Sequence, residues 1–389
     1  MSITAPLGFA AGGGHVGIKP GELPDCAVVV ATTAAPACAA GVFTRNLAAA
    51  APVLASRAHL AASGGAARAI VLTSGNANAA TGRQGLERAE GLCAVVARAV
   101  GAPVEEVLIA QTGLIGIPFA FEACADAVTG VCGSADASRE GGKAAATAIL
   151  TTDTVRKEFC GTFEGFTVGA MAKGAAMLAP NMATMLAVLT TDAACDPVTL
   201  GALLREAVIP TFNRIHVDGA MSTNDTVFAL SSGLAGPVPP EVIGSALEGA
   251  CASLARQMVD DAEGATRTAQ VTVVGAASDG EAHAGARKVA GSLLVKCSLN
   301  GADPYWGRIV SELGTAGIAF DIDSVSVRYG ETTVCAGGVG TAHDEAAVAA
   351  HLAGRHVEIT CDLGLGAGVA SMLCCDLGHG YIDENRGTS

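Results

Sequence analysis

Charge and aromatic rings are both scarce in this chain. Of 389 residues, 15% are charged and 4% aromatic, with one Trp and three Tyr, which argues against ligand platforms made of stacked rings. Lys and Arg number 23 against 37 Asp and Glu, a formal charge of −14. Nucleic acids and anionic membranes both require clustered positive charge, so neither is an expected partner. The thirteen cysteines include no C-x-x-C pair, the count is odd, and Cys374 and Cys375 are adjacent. That pattern suits neither a zinc ribbon nor a disulfide framework, and reduced thiols of a cytoplasmic protein are the expectation. Cys93, Cys251 and Cys361 stand among Ala, Val and Leu, where a thiol acts as a small apolar filler. The opening MSITAPLGFAAGG has no basic region before an apolar core, so no secretory leader is expected. The most apolar stretch, Gly169–Leu189, is interrupted by Lys173, Pro180 and Asn181, so no membrane span is expected either. No repeat of 20–50 residues, low-complexity tract or Ser/Pro-rich linker marks a domain boundary.

What is abundant is small and apolar. Half the residues are hydrophobic and fifty are glycine, enough for a large core with many tight turns. Strand-like runs occur at Cys26–Thr32, Ala69–Thr73, Val107–Ile109, Met185–Thr191, Gln270–Val274, Val325–Tyr329, Val357–Asp362 and Ala370–Asp376. Helical patterns alternate with them at Leu86–Val100, Pro239–Met258 and Glu345–Leu352. Asp196 before Pro197 reads as an N-cap and first-turn pair opening another helix through Leu200, Leu203, Leu204 and Val208. Helices interleaved with strands predict an α/β or α+β class.

The segment with the most chemical content is Met171–Thr191, MAKGAAMLAPNMATMLAVLTT. A lysine in a Gly/Ala-rich loop is followed by a Pro-Asn turn and then by an apolar strand, with Thr184 between turn and strand. If the Ala183–Thr184 bond were cut, the hydroxyl and a free α-amine would lie on one residue. An N-terminal amine titrates near ~7.7–8.0, suited to accept the hydroxyl proton at neutral pH. Such a nucleophile needs no histidine, because it carries its own base. The same hydroxyl attacking the preceding carbonyl could make the cut. By residue type alone, a threonine opening a strand is equally a plain β-former.

The run Lys173-Gly174, then Met177 to Leu186, resembles the autocleavage segment of ornithine acetyltransferases, also called bifunctional glutamate N-acetyltransferases. The similarity spans almost the whole chain. It includes Gly41-Val42-Phe43-Thr44, Ser74 to Asn78, Thr112 to Gly116, Thr151 to Thr154, Ser222 to Thr226, Glu263 to Thr266, Asp303-Pro304 with Trp306 to Arg308, and Cys375-Asp376-Leu377. The resemblance implies an αββα sandwich with a smaller C-terminal region. It implies self-cleavage into an α chain of residues 1–183 and a β chain of residues 184–389, assembled as two copies of each.

The implied reaction is double displacement: N-acetylornithine gives its acetyl group to Thr184, and glutamate then takes it. Some relatives also use acetyl-CoA. No cofactor and no metal is implied. The resemblance makes Thr112 and Gly113 the oxyanion hole, though a Thr-Gly turn after the Val107–Ile109 strand would look the same. It makes Thr151, Lys173, Thr184, Glu263, Asn385 and Ser389 the substrate contacts. Lys173 equally suits a structural salt bridge, and Glu263 a solvated carboxylate at a helix end. Asp303 and Arg308 are expected to form an ion pair bracing a turn.

Four departures from the family pattern bear on substrate identity: Ala220-Met221, Ala176, Tyr305, and a shortened tail in which Thr388 competes with Ser389. Three rival readings remain at this point: a specialised-metabolism paralogue acting on other amino acids, an aminopeptidase or amidase with an N-terminal nucleophile, and an uncleaved assembly subunit.

Overall fold

The computed structural model describes residues 2–178 and 185–387. Thr184 and Ser389 therefore lie outside the described residues, as do Ala183 and Thr388. The chain divides into two compact units. One takes the described residues of Met1–Met177, Asn181–Asn213 and Ala220–Met258, and the other those of Leu178–Pro180, Arg214–Gly219 and Val259–Ser389.

The strands of the first unit are, in chain order, β1 (Phe9–Gly14), β2 (Cys26–Ala31), β3 (Ala37–Phe43), β4 (Ala66–Ala67), β5 (Ala69–Asn76), β6 (Val107–Leu114), β7 (Lys157–Phe163), β8 (Phe166–Lys173) and β9 (Leu186–Ala194). A short β10 (Ile215–His216) belongs to the second unit, and β11 (Thr226–Pro237) returns to the first. They form a four-stranded sheet, β1-β2-β5-β6, and a six-stranded sheet, β4-β3-β11-β9-β8-β7.

Side chains of a strand alternate between its two faces. In the four-stranded sheet Val29, Ile70, Leu72 and Leu108 point to one side and Val28, Val71, Val107 and Ile109 to the other. Both sides are covered, which is why these strands read as unbroken apolar runs. The first set meets Met171, Leu186, Val188, Phe228 and Leu230 of the six-stranded sheet in a shared core. The second set is capped by the helix Gly82–Val100 through Leu92, Cys93 and Val96. On the far side of the six-stranded sheet, the helix Pro197–Val208 packs on β3 and β11. Asp196 caps that helix as the sequence predicts, accepting from Val198 and Thr199 N–H at 3.0 Å each. The first unit is thus a helix–sheet–sheet–helix sandwich of the α/β class.

The second unit holds β12 (Thr268–Ala276), β13 (Ser326–Tyr329), β14 (Thr332–Ala336), β15 (Val339–Gly340), β16 (His356–Asp362) and β17 (Gly368–Cys375). With β10 they form one sheet in the order β10-β17-β12-β16-β13-β14-β15. Val271, Val273, Val327, Ile359 and Met372 build its core with Ala286 and Val289 of the helix Asp279–Gly291. Lys296 is buried there and stays satisfied by donating to the carbonyls of His216 and Cys375 at 3.0 and 2.7 Å. None of the thirteen cysteines is bonded to another. No helix among the described residues is long and apolar enough to cross a membrane.

The expected Asp303–Arg308 ion pair is not formed. Arg308 instead donates to the Leu294 carbonyl at 2.9 Å and lies over the Tyr305 ring, 5.3 Å from its centroid. The carbonyl takes one guanidinium N–H and the ring face takes part of its positive charge.

The inter-sheet core makes a direct prediction. Phe228 is fully buried and meets Phe43 edge-on at 5.8 Å. Phe228→Ala removes a large side chain from a site that cannot collapse, and the expected loss is about 3–5 kcal/mol in urea unfolding. The exposed Val198 changed to Ala serves as the control, with an expected change of roughly 0.5 kcal/mol or less.

Candidate functional site

At one end of the sandwich several strands finish or begin together. β8 ends at Lys173, β9 starts just after Met185, β11 starts just after Asp225, and β6 carries Thr112 and Gly113. The antiparallel pairing of β8 with β9 and the parallel pairing of β9 with β11 place Lys173 beside Leu186, and Leu186 beside Thr226. Thr112 lies on the other sheet, and the Lys173 ammonium crosses to it, donating to its hydroxyl at 3.3 Å. A second bridge comes from Asn224, which donates to the carbonyls of Ala77 and Gln111 at 2.6 and 2.8 Å. Gln111 is itself held by Asn78 and Thr73, each at 3.0 Å. All are buried, so each polar atom must be matched, and the network fixes how the two sheets meet here.

Two local expectations change. Lys173 is the last residue of a strand, not part of a loop, and Thr112-Gly113 lies within β6, which runs on to Leu114. Gly113 has φ +129°, and a Cβ there would come within 2.2 Å of the Gly75 backbone. Only glycine allows that approach while leaving its own backbone exposed beside the buried Thr112 hydroxyl.

The charge of Lys173 is answered from within the protein. Asp153 accepts from Lys157 Nζ at 2.5 Å, from Gly174 N–H at 2.7 Å, and from Thr151 N–H at 3.0 Å and its hydroxyl at 3.4 Å. Both side chains of the Asp153–Lys157 pair are fully buried. Burial alone would raise the Asp153 pKa. The charges of Lys173 and Lys157, with the Lys157 and Gly174 hydrogen bonds, outweigh it and hold the carboxyl down at about 2. Asp153 therefore ties Thr151, the Lys173-Gly174 corner and Lys157 into one cluster. Lys19 joins it, donating to the Leu150 carbonyl at 2.6 Å just ahead of Thr151. Burial lowers the Lys19 pKa, and Lys173 pushes it the same way.

The opposite case is Asp225, where burial pushes the pKa well above the usual carboxylate range despite the Met185 N–H bond and the nearby Lys173 charge. Thr151 and Lys173 are marked as substrate contacts by the sequence motif, whereas Asp153, Lys157 and Asp225 carry no such mark.

The second unit holds the remaining expected contacts. Glu263 accepts from Asn385 Nδ2 at 2.6 Å. The turn after Glu263 is fixed by Asp376, which accepts from Thr266 N–H, the Thr266 hydroxyl, Arg267 N–H and Asn300 Nδ2 at 2.9, 2.5, 3.0 and 2.8 Å. Gly264 has φ +65° and the helix His379–Asn385 packs against it, a Cβ there coming within 2.2 Å of Tyr381 N. This contact lets Asn385 reach Glu263. Tyr381 also donates to Asp218 at 3.3 Å. Among the described residues no cluster of three or more His, Cys, Asp or Glu is placed to hold a metal ion.

A buried ion pair resists loss of one partner more than loss of both. Asp153→Asn is expected to cost about 3–5 kcal/mol at pH 7, measured by urea unfolding. The sign with pH follows from a folded pKa of about 2 against 3.8. Wild-type stability from this group is complete above about pH 4 and is lost as pH falls toward 2, and the variant lacks that acid limb.

The model of the ArgJ family matches residues 10–387 of this chain. The chain is 44% identical over 396 residues to the arginine biosynthesis bifunctional protein ArgJ of Mycolicibacterium paratuberculosis, covering 100% of this chain and 96% of that protein. To the protein of the same name from Thermobifida fusca it is 43% identical over 390 residues, covering all of both. Among solved structures, ornithine acetyltransferase of Mycobacterium tuberculosis complexed with ornithine is 38% identical, with a TM-score of 0.44, over 46% of this chain and 94% of that chain. A family match over nearly every residue, and relatives this similar along their whole length, leave one reading: the chain is an arginine-biosynthesis enzyme and belongs to the ArgJ family.

Proposed function

We propose that this acetyltransferase cuts itself between Ala183 and Thr184 and moves an acetyl group from N-acetylornithine to glutamate through Thr184. The observation that carries the reading is the contact of Lys173 with Thr112 at the strand ends flanking the 178–185 segment. It brings a cation and a hydroxyl together, which supports a reading in which the cation takes an amino-acid carboxylate and the hydroxyl a developing oxyanion. Family membership supplies the reaction class.

In the first half-reaction the Thr184 hydroxyl attacks the acetyl carbonyl carbon. Its proton passes to the Thr184 α-amine and then to the nitrogen of the departing ornithine. The C–N bond breaks and an acetyl ester remains on Thr184. In the second, the glutamate amine attacks the ester, the C–O bond breaks, and the proton returns to the Thr184 oxygen. The tetrahedral oxygen of each step is assigned to the Thr112 hydroxyl and the Gly113 N–H. Lys173 is assigned to the shared α-carboxylate, so one pocket serves both substrates in turn. Thr151, Glu263 and Asn385 complete the assigned contacts, with Ser389 and Thr388 outside the described residues. Glu263 suits the substrate's amine by charge. Acetyl-CoA as an alternative donor and an assembly of two copies of each chain are carried from the family resemblance alone.

The test is direct. Wild-type protein is expected as two chains on a denaturing gel, and Thr184→Ala as one chain with transfer reduced by roughly 10⁴-fold or more. Release of acetate from N-acetylornithine without glutamate, at the rate of transfer, would favour an amidase instead. A single intact wild-type chain transferring at full rate would refute the mechanism.

A further inference from the structure

One ammonium at the edge of the site has no part in the reaction as written. Lys19 is half-buried, and its Nζ donates to the Pro24 and Leu150 carbonyls at 2.9 and 2.6 Å. An ammonium carries three donors, and two of these are spent on neutral oxygens. Among the described residues no carboxylate pairs with it. Asp25 lies nearby, but its buried carboxylate accepts the Val16, Ile18 and Lys19 N–H groups at 2.6, 2.7 and 2.9 Å. Asp153 is shared between Lys157 and Lys173. Burial is the largest influence on Lys19 and works against its charge. Lys173 adds to that effect, and Asp25 and Asp153 offset it only in part.

The fold puts this cation against the candidate site. The Lys19 stem crosses Gly75, where a Cβ would meet its Cγ at 3.1 Å. Gly75 pairs with Gly113 across β5 and β6, and the two backbones approach too closely for a side chain. Beyond the stem, the Leu150 carbonyl that holds Nζ leads directly into Thr151. Thr151 N–H reaches Asp153, as does the N–H of Gly174 beside Lys173. A cation fixed there, and short of an anion, suits a carboxylate from outside the protein. Resting on the transfer proposed above, we infer that Lys19 determines acceptor specificity, taking the side-chain carboxylate of glutamate while Lys173 takes its α-carboxylate. The donor's side chain ends in an ammonium and gains nothing from Lys19. The two lysines therefore separate a dicarboxylic acceptor from its neutral analogues.

The experiment compares Lys19→Gln with the wild type, since a glutamine amide can still donate to a carbonyl but carries no charge. In a double displacement, kcat/KM for each substrate reports its own half-reaction. The value for glutamate is expected to fall on the order of 10–10²-fold. The value for N-acetylornithine should stay within about threefold. Glutamine offered in place of glutamate supplies the neutral acceptor: the wild type should prefer glutamate, and the variant should lose most of that preference. A purely structural lysine would lower both half-reactions together, and that result, or an unchanged preference, overturns the inference.

If the variant does not fold or cleave, the wild type decides, through amine-reactive labelling of Lys19 read by peptide mapping. Slower labelling with glutamate than with an equal concentration of glutamine supports the inference, and equal labelling overturns it. A wild type that transfers no acetyl group to glutamate would remove the underlying reading as well. Transfer to glutamate that is indifferent to Lys19→Gln would remove this inference only.

Discussion

The site rests on the cost of placing lysine charge in a low-dielectric interior. Lys157 is buried completely and Lys173 almost so, and an unpaired ammonium in such a place would shift its pKa or unfold its surroundings. Asp153 answers both with one carboxyl, and uses its remaining lone pairs on the backbone of Gly174 and Thr151. The same group that neutralises the lysines therefore fixes where Lys173 leaves its strand and where Thr151 begins its loop. Position and charge compensation are one arrangement.

Around that cluster the fold supplies rigidity from two sheets rather than from loops. Lys173, Met185 and Asp225 lie at adjacent strand ends of the six-stranded sheet, and Thr112 reaches them from the four-stranded one. The Asn224–Gln111–Asn78 network locks the two sheets together at this end. Ladders of backbone hydrogen bonds hold these strand ends, and with them the side chains they carry. Such pre-organisation is what acyl transfer exploits, since little has to move as charge develops.

Much of the sandwich is legible in the sequence. Runs with Val, Ile and Leu, such as Val28-Val29-Val30 or Ile70-Val71-Leu72, were recognised because buried strands favour branched side chains. The strands β1 (FAAGGG) and β3 (ACAAGVF) were not, since glycine and alanine carry no such preference and these segments become strands through pairing with β2 and β11. At the site, Lys173 and Thr112 stood out by motif, and the structure joins them. Asp153–Lys157 was invisible because Lys157 sits between Arg156 and Glu158, a stretch that reads as a solvated face. Only tertiary burial separates it from its neighbours. Asp225 was passed over for a related reason, as an acid within a polar Ser-Thr-Asn-Asp run carries no sign that it will be enclosed.

The claim on which the chemistry turns is that the acetyl group rests covalently on Thr184 between substrates. Mass spectrometry of protein mixed with N-acetylornithine and no acceptor tests it most directly. The fragment beginning at Thr184 should gain one acetyl group, located on that residue by peptide mapping, and lose it when glutamate is added. Transfer proceeding with no acetylated fragment ever captured on the enzyme, or with the label on another residue, would contradict the account.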